Sequence, residues 1–288
     1  MNMDSPGVCL LQTLLMLMIL PACYSVVPCP RACSCPEPTE LHCTFRSLTT
    51  IPRSLNKHVE HMNLGFNSIH KITDKSLAGL KKLELLMVHA NDIHSLPYRV
   101  FRDLVSLRTL KLSFNKLTEI NRHTFLGLWS LSRLHLNHNQ LEFIHPDAFQ
   151  GLTSLQLLQM EGNRLQQLHP ATFTTFTLMG HFHISTLKHL YLSDNELNSL
   201  PSSLLATMPQ LENLYLQGNP WICDCNMRGL QHWDKTSPGV LKCKKVKALP
   251  GGKLCPMCFS PRHLKKKEFV AVETLNCSRP VITTPHKT

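Results

Sequence analysis

Twelve cysteines carry the most evident chemistry of this 288-residue chain, and they are segregated. Six lie at or before Cys43 and six at or after Cys223, with none between. A thiol can act as nucleophile, redox partner, metal ligand or half of a structural disulfide, and its surroundings decide which. Cys255-Pro256-Met257-Cys258 has the C-x-x-C spacing of a redox pair or half a zinc site. No thioredoxin-like strand and helix pattern surrounds it, and a zinc site would have to recruit a ligand such as His263. Histidines number seventeen. His135, His138, His181, His183 and His189 fall on or beside strand-like segments, where they could bind a metal or respond to pH. A motif such as H-E-x-x-H is absent, so the reading is solvent-exposed histidines and no metal site. G-x-S-x-G, P-loop and dinucleotide glycine patterns are also absent. The carboxylates are too scattered to nominate an acid–base pair. The expectation is a binding protein without catalytic residues or cofactor.

A third chemistry is concentrated charge. Of the net charge of +11, residues 240–288 supply most, with eleven Lys/Arg against two Asp/Glu. Lys242, Lys244, Lys245, Lys247 and Lys253 precede the C-x-x-C, and Arg262, Lys265, Lys266 and Lys267 follow it. Which polyanion such a cluster meets depends on the compartment. Val8–Leu20 reads VCLLQTLLMLMIL, a thirteen-residue apolar run ended by Pro21 and followed by Ala22, Cys23 and Ser25. That is the pattern of a secretory signal over residues 1–25, and it is short for a membrane span. Cleavage there leaves ten cysteines, an even number, in an oxidising compartment. A structural disulfide then becomes the better reading of the C-x-x-C. Outside the cell, clustered Lys/Arg points to a sulfated glycosaminoglycan such as heparan sulfate, and nucleic acid is a poor alternative. Asn276-Cys277-Ser278 is the sole glycosylation sequon, and a disulfide at Cys277 would compete with modification of Asn276.

The elements that must position these groups come from an internal repeat. Asn recurs at 67, 91, 115, 139 and 163, each 24 residues after the last, and then at 195 and 219. Leu107-x-x-Leu110-x-Leu112-x-x-Asn115-x-Leu117 is the cleanest copy, and Phe101, Phe125, Phe149 and Phe173 each fall ten residues after an Asn. This matches the leucine-rich-repeat pattern. Leu-x-Leu makes a short strand with its leucines on one side. The Asn should turn inward and satisfy backbone groups of neighbouring coils. One coil cannot bury its own apolar face, whereas a stack makes a continuous core. The interval between Asn163 and Asn195 is 32 residues, and the register predicts a strand at Met179, Phe182 and Ile184. A truncated or distorted coil is expected near 177–187.

The segments LHCTFRSLTTIP, LGFNSI, LELLMVHAN, ENLYLQGNPWICDC and CPMCFSP resemble the matrix-remodelling-associated (adlican) family and the related immunoglobulin superfamily proteins that carry leucine-rich repeats. The resemblance covers about residues 28–280. It implies an α/β-type leucine-rich-repeat solenoid, with a curved parallel sheet on the concave face, an irregular convex side and disulfide-bonded caps. It also implies the pairs Cys29–Cys35 and Cys33–Cys43 in front. At the rear it implies Cys223–Cys243 and Cys225–Cys277, leaving Cys255 to join Cys258. Gly229 stands where such a rear cap usually has an aromatic, which would loosen its helix. Family members are secreted matrix-associated proteins with immunoglobulin-like domains after the repeats. This sequence stops just after the rear cap, and what those domains do is not carried over. The organisation is then a signal peptide at 1–25, a front cap at 26–57, about seven repeats at 58–220, a rear cap at 221–278 and a tail at 279–288.

Counting back from each Asn gives the residues on the outward face of the strands. One column runs His61, Leu85, Thr109, Arg133, Leu157, His189, Asn213, and the next Asn63, Met87, Lys111, His135, Gln159, Tyr191, Tyr215. A third runs Gly65, His89, Ser113, Asn137, Glu161, Ser193, Gln217. Leu85, Met87, Leu157, Tyr191 and Tyr215 are more apolar than an idle surface requires. With Lys111, Arg133 and His135 they form the candidate protein-binding face. The expected function is recognition of an extracellular protein by this face, with the basic cap holding glycosaminoglycan. A soluble modulator of signalling and a redox protein using Cys255 and Cys258 are the alternatives.

Overall fold

The structure is a computed structural model that describes residues 29–177, 180–183, 186–247, 252–269 and 272. The signal peptide, Asn276 and Cys277 lie outside the described residues.

Nine short parallel strands form one sheet: Glu40–His42, His61–Asn63, Leu85–Met87, Thr109–Lys111, Arg133–His135, Leu157–Gln159, His189–Tyr191, Asn213–Tyr215 and Leu241–Lys242, adjacent in that order. The first strand belongs to the front cap and the last to the rear cap, so each cap covers an end of the sheet with a strand of its own. The terminal strands of the sheet thus belong to the disulfide-bonded caps, and the apolar ends of the repeat stack are covered. The period-two geometry of a strand sends the middle residue inward. Met62, Leu86, Leu110, Leu134, Leu158, Leu190 and Leu214 are accordingly buried completely. Each such side chain contributes about 1.5–3 kcal/mol through removal from water.

The asparagines tie coil to coil. Asn139 Nδ2 donates to the carbonyls of Leu112 and Leu136, both at 3.0 Å, and its Oδ1 accepts from Leu117 N–H at 3.1 Å. Asn91, Asn115, Asn163 and Asn219 make the same set. The residue before each Asn adopts positive φ: Phe66, Ala90, Phe114, His138, Gly162, Asp194 and Gly218. Five of these seven are not glycine, so the ladder holds a conformation that most side chains disfavour. Beneath the convex return, Phe101, Phe125, Phe149 and Phe173 stack in file at 6.0, 6.0 and 5.7 Å between ring centres.

The long interval does not place another strand in the sheet. Leu157–Gln159 pairs directly with His189–Tyr191. Thr174–Thr177 and Gly180–His183 instead form a separate antiparallel hairpin. The predicted strand around Phe182 thus leaves the stack, and His181 and His183 leave with it. Asn195 still reaches Met160 carbonyl at 3.0 Å and accepts from Leu165 N–H at 3.1 Å, across a spacing lengthened by eight residues. The ladder closes over the insertion because the added residues are confined to the return.

In the front cap the disulfides are Cys29–Cys35 and Cys33–Cys43. The rear cap differs from the pairing implied by resemblance. Cys223 joins Cys258, and Cys243 joins Cys255. The expected Cys223–Cys243 and Cys255–Cys258 bonds are therefore incorrect. Backbone pairing gives the reason. Trp221–Ile222 runs parallel to Cys258–Ser260, and Cys223 N–H donates to Ser260 carbonyl at 2.7 Å. The Cα atoms of Cys223 and Cys258 are 5.6 Å apart. Lys244–Lys245 and Lys253–Leu254 form an antiparallel hairpin with Lys244 opposite Leu254. That register sets Cys243 opposite Cys255, with Cα atoms 4.3 Å apart. Cys225 is also disulfide-bonded, and Cys277, its expected partner, lies outside the described residues. The helix Arg228–Thr236 is formed with Gly229 inside it. A Cβ at Gly229 would lie 2.4 Å from Ser202 Oγ, so the glycine permits close packing on the short helix Ser202–Ala206 rather than loosening the cap.

Candidate functional site

Strand register builds the outward face. Leu85, Thr109, Arg133, Leu157, His189 and Asn213 are consecutive partners in one row, and Met87, Lys111, His135, Gln159, Tyr191, Tyr215 and Lys242 in the next. Leu85, Met87, Lys111, His135, Leu157, Tyr191 and Tyr215 are half-buried, and Arg133 is exposed. Only part of the apolar set is contiguous. Tyr191 and Tyr215 stack at 4.7 Å with nearly parallel rings, and Leu85 and Met87 share one strand. Leu157 is separated from Leu85 by Thr109 and Arg133.

The two halves of the face differ electrostatically. Toward the front, Lys111 and Arg133 border a depression of about 450 Å³ that also includes His135 and Leu85. Arg108 on its rim is held by Glu84 at 3.3 Å, and His61 lies 3.4 Å from Glu40. Among the described residues, neither Lys111 nor Arg133 has an ion-pair partner. His135 is not the freely exposed histidine expected, and His89, from the third outward column, is partly buried as well. His135 Nδ1 meets Gln159 Oε1, while His135 Nε2 and His89 Nδ1 are buried without a hydrogen-bond partner. Burial, with Lys111 adding to it, holds the His89 imidazole below the ordinary histidine range. Burial also holds His135 low, opposed by its bond to Gln159 and reinforced by Lys111 and Arg133.

Toward the rear the face carries the Glu161 carboxyl beside two stacked aromatic rings. Burial pushes the Glu161 carboxyl above the usual range, and Glu161 Oε2, Ser193 Oγ and Gln217 Oε1 lack partners in successive coils. The Tyr191 phenol is raised by burial, then by Tyr215 and Glu161. His89, Glu161 and Gln217 stood in the third outward column, yet polarity alone gave no signal of their burial. A further feature escaped sequence reading. Phe45 and Phe66 stack at 4.6 Å, and Phe114 stacks on His138 at 4.5 Å, all on the exposed rim. The signal was available, because Phe66, Phe114 and His138 each immediately precede a ladder Asn.

In the rear cap, Lys244, Lys245, Lys247, Lys253, Arg262, Lys265, Lys266 and Lys267 are exposed, and among the described residues none forms an ion pair. Lys245 faces Lys253 across the hairpin. Cys243–Cys255 closes the base of that hairpin, and the chain runs on from Cys255 to Cys258, whose backbone bonds to both Lys266 and Lys267 at 2.9 and 2.8 Å. Lys265 Nζ lies 5.0 Å from the centre of the exposed Phe259 ring. Lys242 is apart from this group: it is half-buried in the last strand of the sheet and donates to Gly239 carbonyl. The C-x-x-C is not a redox pair, since its cysteines belong to different disulfides.

The model for the leucine rich repeat matches residues 57–117 and 106–165, and that for leucine rich repeats in two copies matches 185–231. The chain belongs to the leucine-rich-repeat family. It is similar to human Matrix-remodeling-associated protein 5, at 68% identity over 257 residues, 89% of this chain and 9% of that protein. It is also similar to human Immunoglobulin superfamily member 10, at 62% over 256 residues, 88% of this chain and 10% of that protein. Rat Chondroadherin is 37% identical over 91 residues, 29% of this chain and 25% of the relative. The leucine-rich-repeat chain thus spans about a tenth of the length of the first two relatives. Among its described residues no helix is long and apolar enough to cross a membrane.

Proposed function

We propose that this is a secreted, extracellular-matrix-associated binding protein. Its concave face recognises a protein ligand, and its rear cap holds a sulfated glycosaminoglycan. The observation that carries the reading is the pairing of two unlike surfaces on one rigid stack. The sheet face offers Leu85, Met87, Leu157, Tyr191 and Tyr215 between polar neighbours, a composition suited to protein contacts. The cap offers exposed cations joined through Cys243–Cys255 and the Cys258 strand. Similarity to a protein named for matrix remodelling supports the same compartment.

Exposed cations bind polyanions in a salt-dependent manner, with screening over about 8 Å at physiological ionic strength. Replacing Lys265, Lys266 and Lys267 together with Gln should move heparin-column elution to clearly lower salt while leaving the melting temperature unchanged. Elution at the original salt would remove this run from the glycosaminoglycan site. Retention of the secreted protein in washed matrix tests the location, whereas free release with capture by a receptor would favour a soluble signalling modulator.

A further inference from the structure

Among the described residues, the front half of the concave face holds two cations without ion-pair partners and a buried imidazole nitrogen with no hydrogen bond. Arg133 lies opposite Thr109, and Lys111 lies opposite His135, so the two cations are diagonal neighbours on adjacent strands. Both border the 450 Å³ depression. We propose that Lys111, Arg133 and His135 form a receptor for one side-chain carboxylate of a protein ligand, taken up together with a proton. This rests on the reading of the concave face as the protein-recognition surface and names the chemistry that the surface selects.

The hydrogen-bond pattern sets the proton's destination. Gln159 Oε1 only accepts, so His135 Nδ1 carries a hydrogen and donates to it. In the neutral ring Nε2 is then a lone pair, which repels a carboxylate. A proton from solvent placed on Nε2 removes that lone pair and makes the ring a third positive charge beside Lys111 and Arg133, and the carboxylate is held by the three charges together. The groups facing this ring are Lys111 on one adjacent strand, Gln159 on the other and Arg133 on its own strand. His61, Arg108 and Glu84 share the depression, the last two already paired with each other. His89 stands beyond Lys111, its ring over Gly65, where a Cβ would come within 2.4 Å of it. Lys111 and Arg133 oppose protonation of the free site, and an incoming anion reverses that balance. Binding and protonation therefore favour each other.

A protein carboxylate fits better than a sulfated polysaccharide. A polyanion is met by a run of cations, as in the rear cap. Here two cations are bordered by Leu85, Met87 and Leu157, all half-buried. That environment suits an Asp or Glu beside an apolar residue.

The test uses the full chain with histidine rings labelled by 15N, and the blocked dipeptide N-acetyl-Asp-Leu-amide as probe. The expected result is a shift of the His135 ring signals on titration and a rise of its titration midpoint with probe bound. Binding should become several-fold tighter as pH falls from about 7.5 to about 5.5, through the histidine range. Lys111→Gln and Arg133→Gln should each abolish the shift, with the far-ultraviolet circular dichroism unchanged. The proposal is overturned if the ring signals do not move, if they move equally in both variants, or if N-acetyl-Asn-Leu-amide, which lacks the charge, acts as well. It is also overturned if a heparin oligosaccharide, and not the dipeptide, perturbs His135. Matrix retention after Tyr191→Ala and Tyr215→Ala tests the wider concave-face reading independently. Lost retention with a silent His135 would sink the carboxylate receptor alone.

Discussion

The repeat stack and the rear cap are held by different kinds of order. In the stack the ladder asparagines and the central strand residues recur from coil to coil, and each ladder contact is local to a pair of coils. Asn139 bonds to Leu112, Leu117 and Leu136, and Asn163 repeats the set 24 residues on. In the rear cap nothing repeats. Trp221 packs edge-on against Phe269 at 6.0 Å, Gln231 donates to the carbonyls of Phe269 and Val272, and Cys223 reaches Cys258 across 35 residues. Translational repetition specifies a fold redundantly, whereas a cap depends on a few unique long-range contacts. The stack can absorb an eight-residue insertion as a hairpin outside its sheet. The cap has no neighbouring copy to compensate for an error.

That contrast predicts that the largest loss follows removal of a cap contact. Cys223→Ala with Cys258→Ala removes a bond closing a 35-residue separation, and should cost about 2–4 kcal/mol in urea unfolding. No free thiol should appear among the remaining cysteines. Peptide mapping of the unreduced protein should yield Cys223–Cys258 and Cys243–Cys255. A Cys223–Cys243 peptide would break the comparison, because it would mean that the cap follows the pairing inferred by resemblance.

The next effect is smaller and belongs to the stack. Asn139→Ala leaves the buried Leu117 N–H without its partner, while the Leu112 and Leu136 carbonyls each lose one of two donors and keep Asn115 and Asn163. The expected cost is about 1–3 kcal/mol. Gln140→Ala, beside it and only half-buried, should stay within about 0.5 kcal/mol. Equal melting shifts for the two would show that the ladder is not what joins the coils.

The same contrast explains what the sequence disclosed. The strands, the Asn ladder and the Phe file were legible because their spacing is itself the structural rule. The outward columns were legible for the same reason, and the observed register agrees with them at Leu85, Lys111, His135 and Tyr215. The excursion at Thr174–His183 was legible only as a broken period, since a count cannot say whether extra residues join the sheet or leave it. The rear disulfides were not legible. Their partners are set by the parallel pairing of Trp221–Ile222 with Cys258–Ser260 and by the Lys244–Leu254 hairpin register, and neither follows from cysteine order. Burial on the outward face was also hidden. His135 stands in an exposed column by register, yet its ring lies against Gln159 under neighbouring side chains.

That last difference carries the smallest predicted effect, and it sharpens the comparison within the stack itself. The folded state holds the His135 imidazole below the ordinary range, chiefly by burial, with Lys111 and Arg133 contributing and Gln159 opposing. The unfolded chain therefore takes up this proton at higher pH than the folded chain does. Stability rises with pH wherever the unfolded state binds more protons. The contribution of neutral His135 is complete above the unfolded value of about 6.5, and it is lost as pH falls toward the depressed folded value. Across that window the melting temperature should fall, and His135→Gln should make the fall less steep by removing this group from the balance. If His135→Gln gives the same slope as the parent, the ring is not held neutral by the fold, and register alone would be an adequate guide to the character of the concave face.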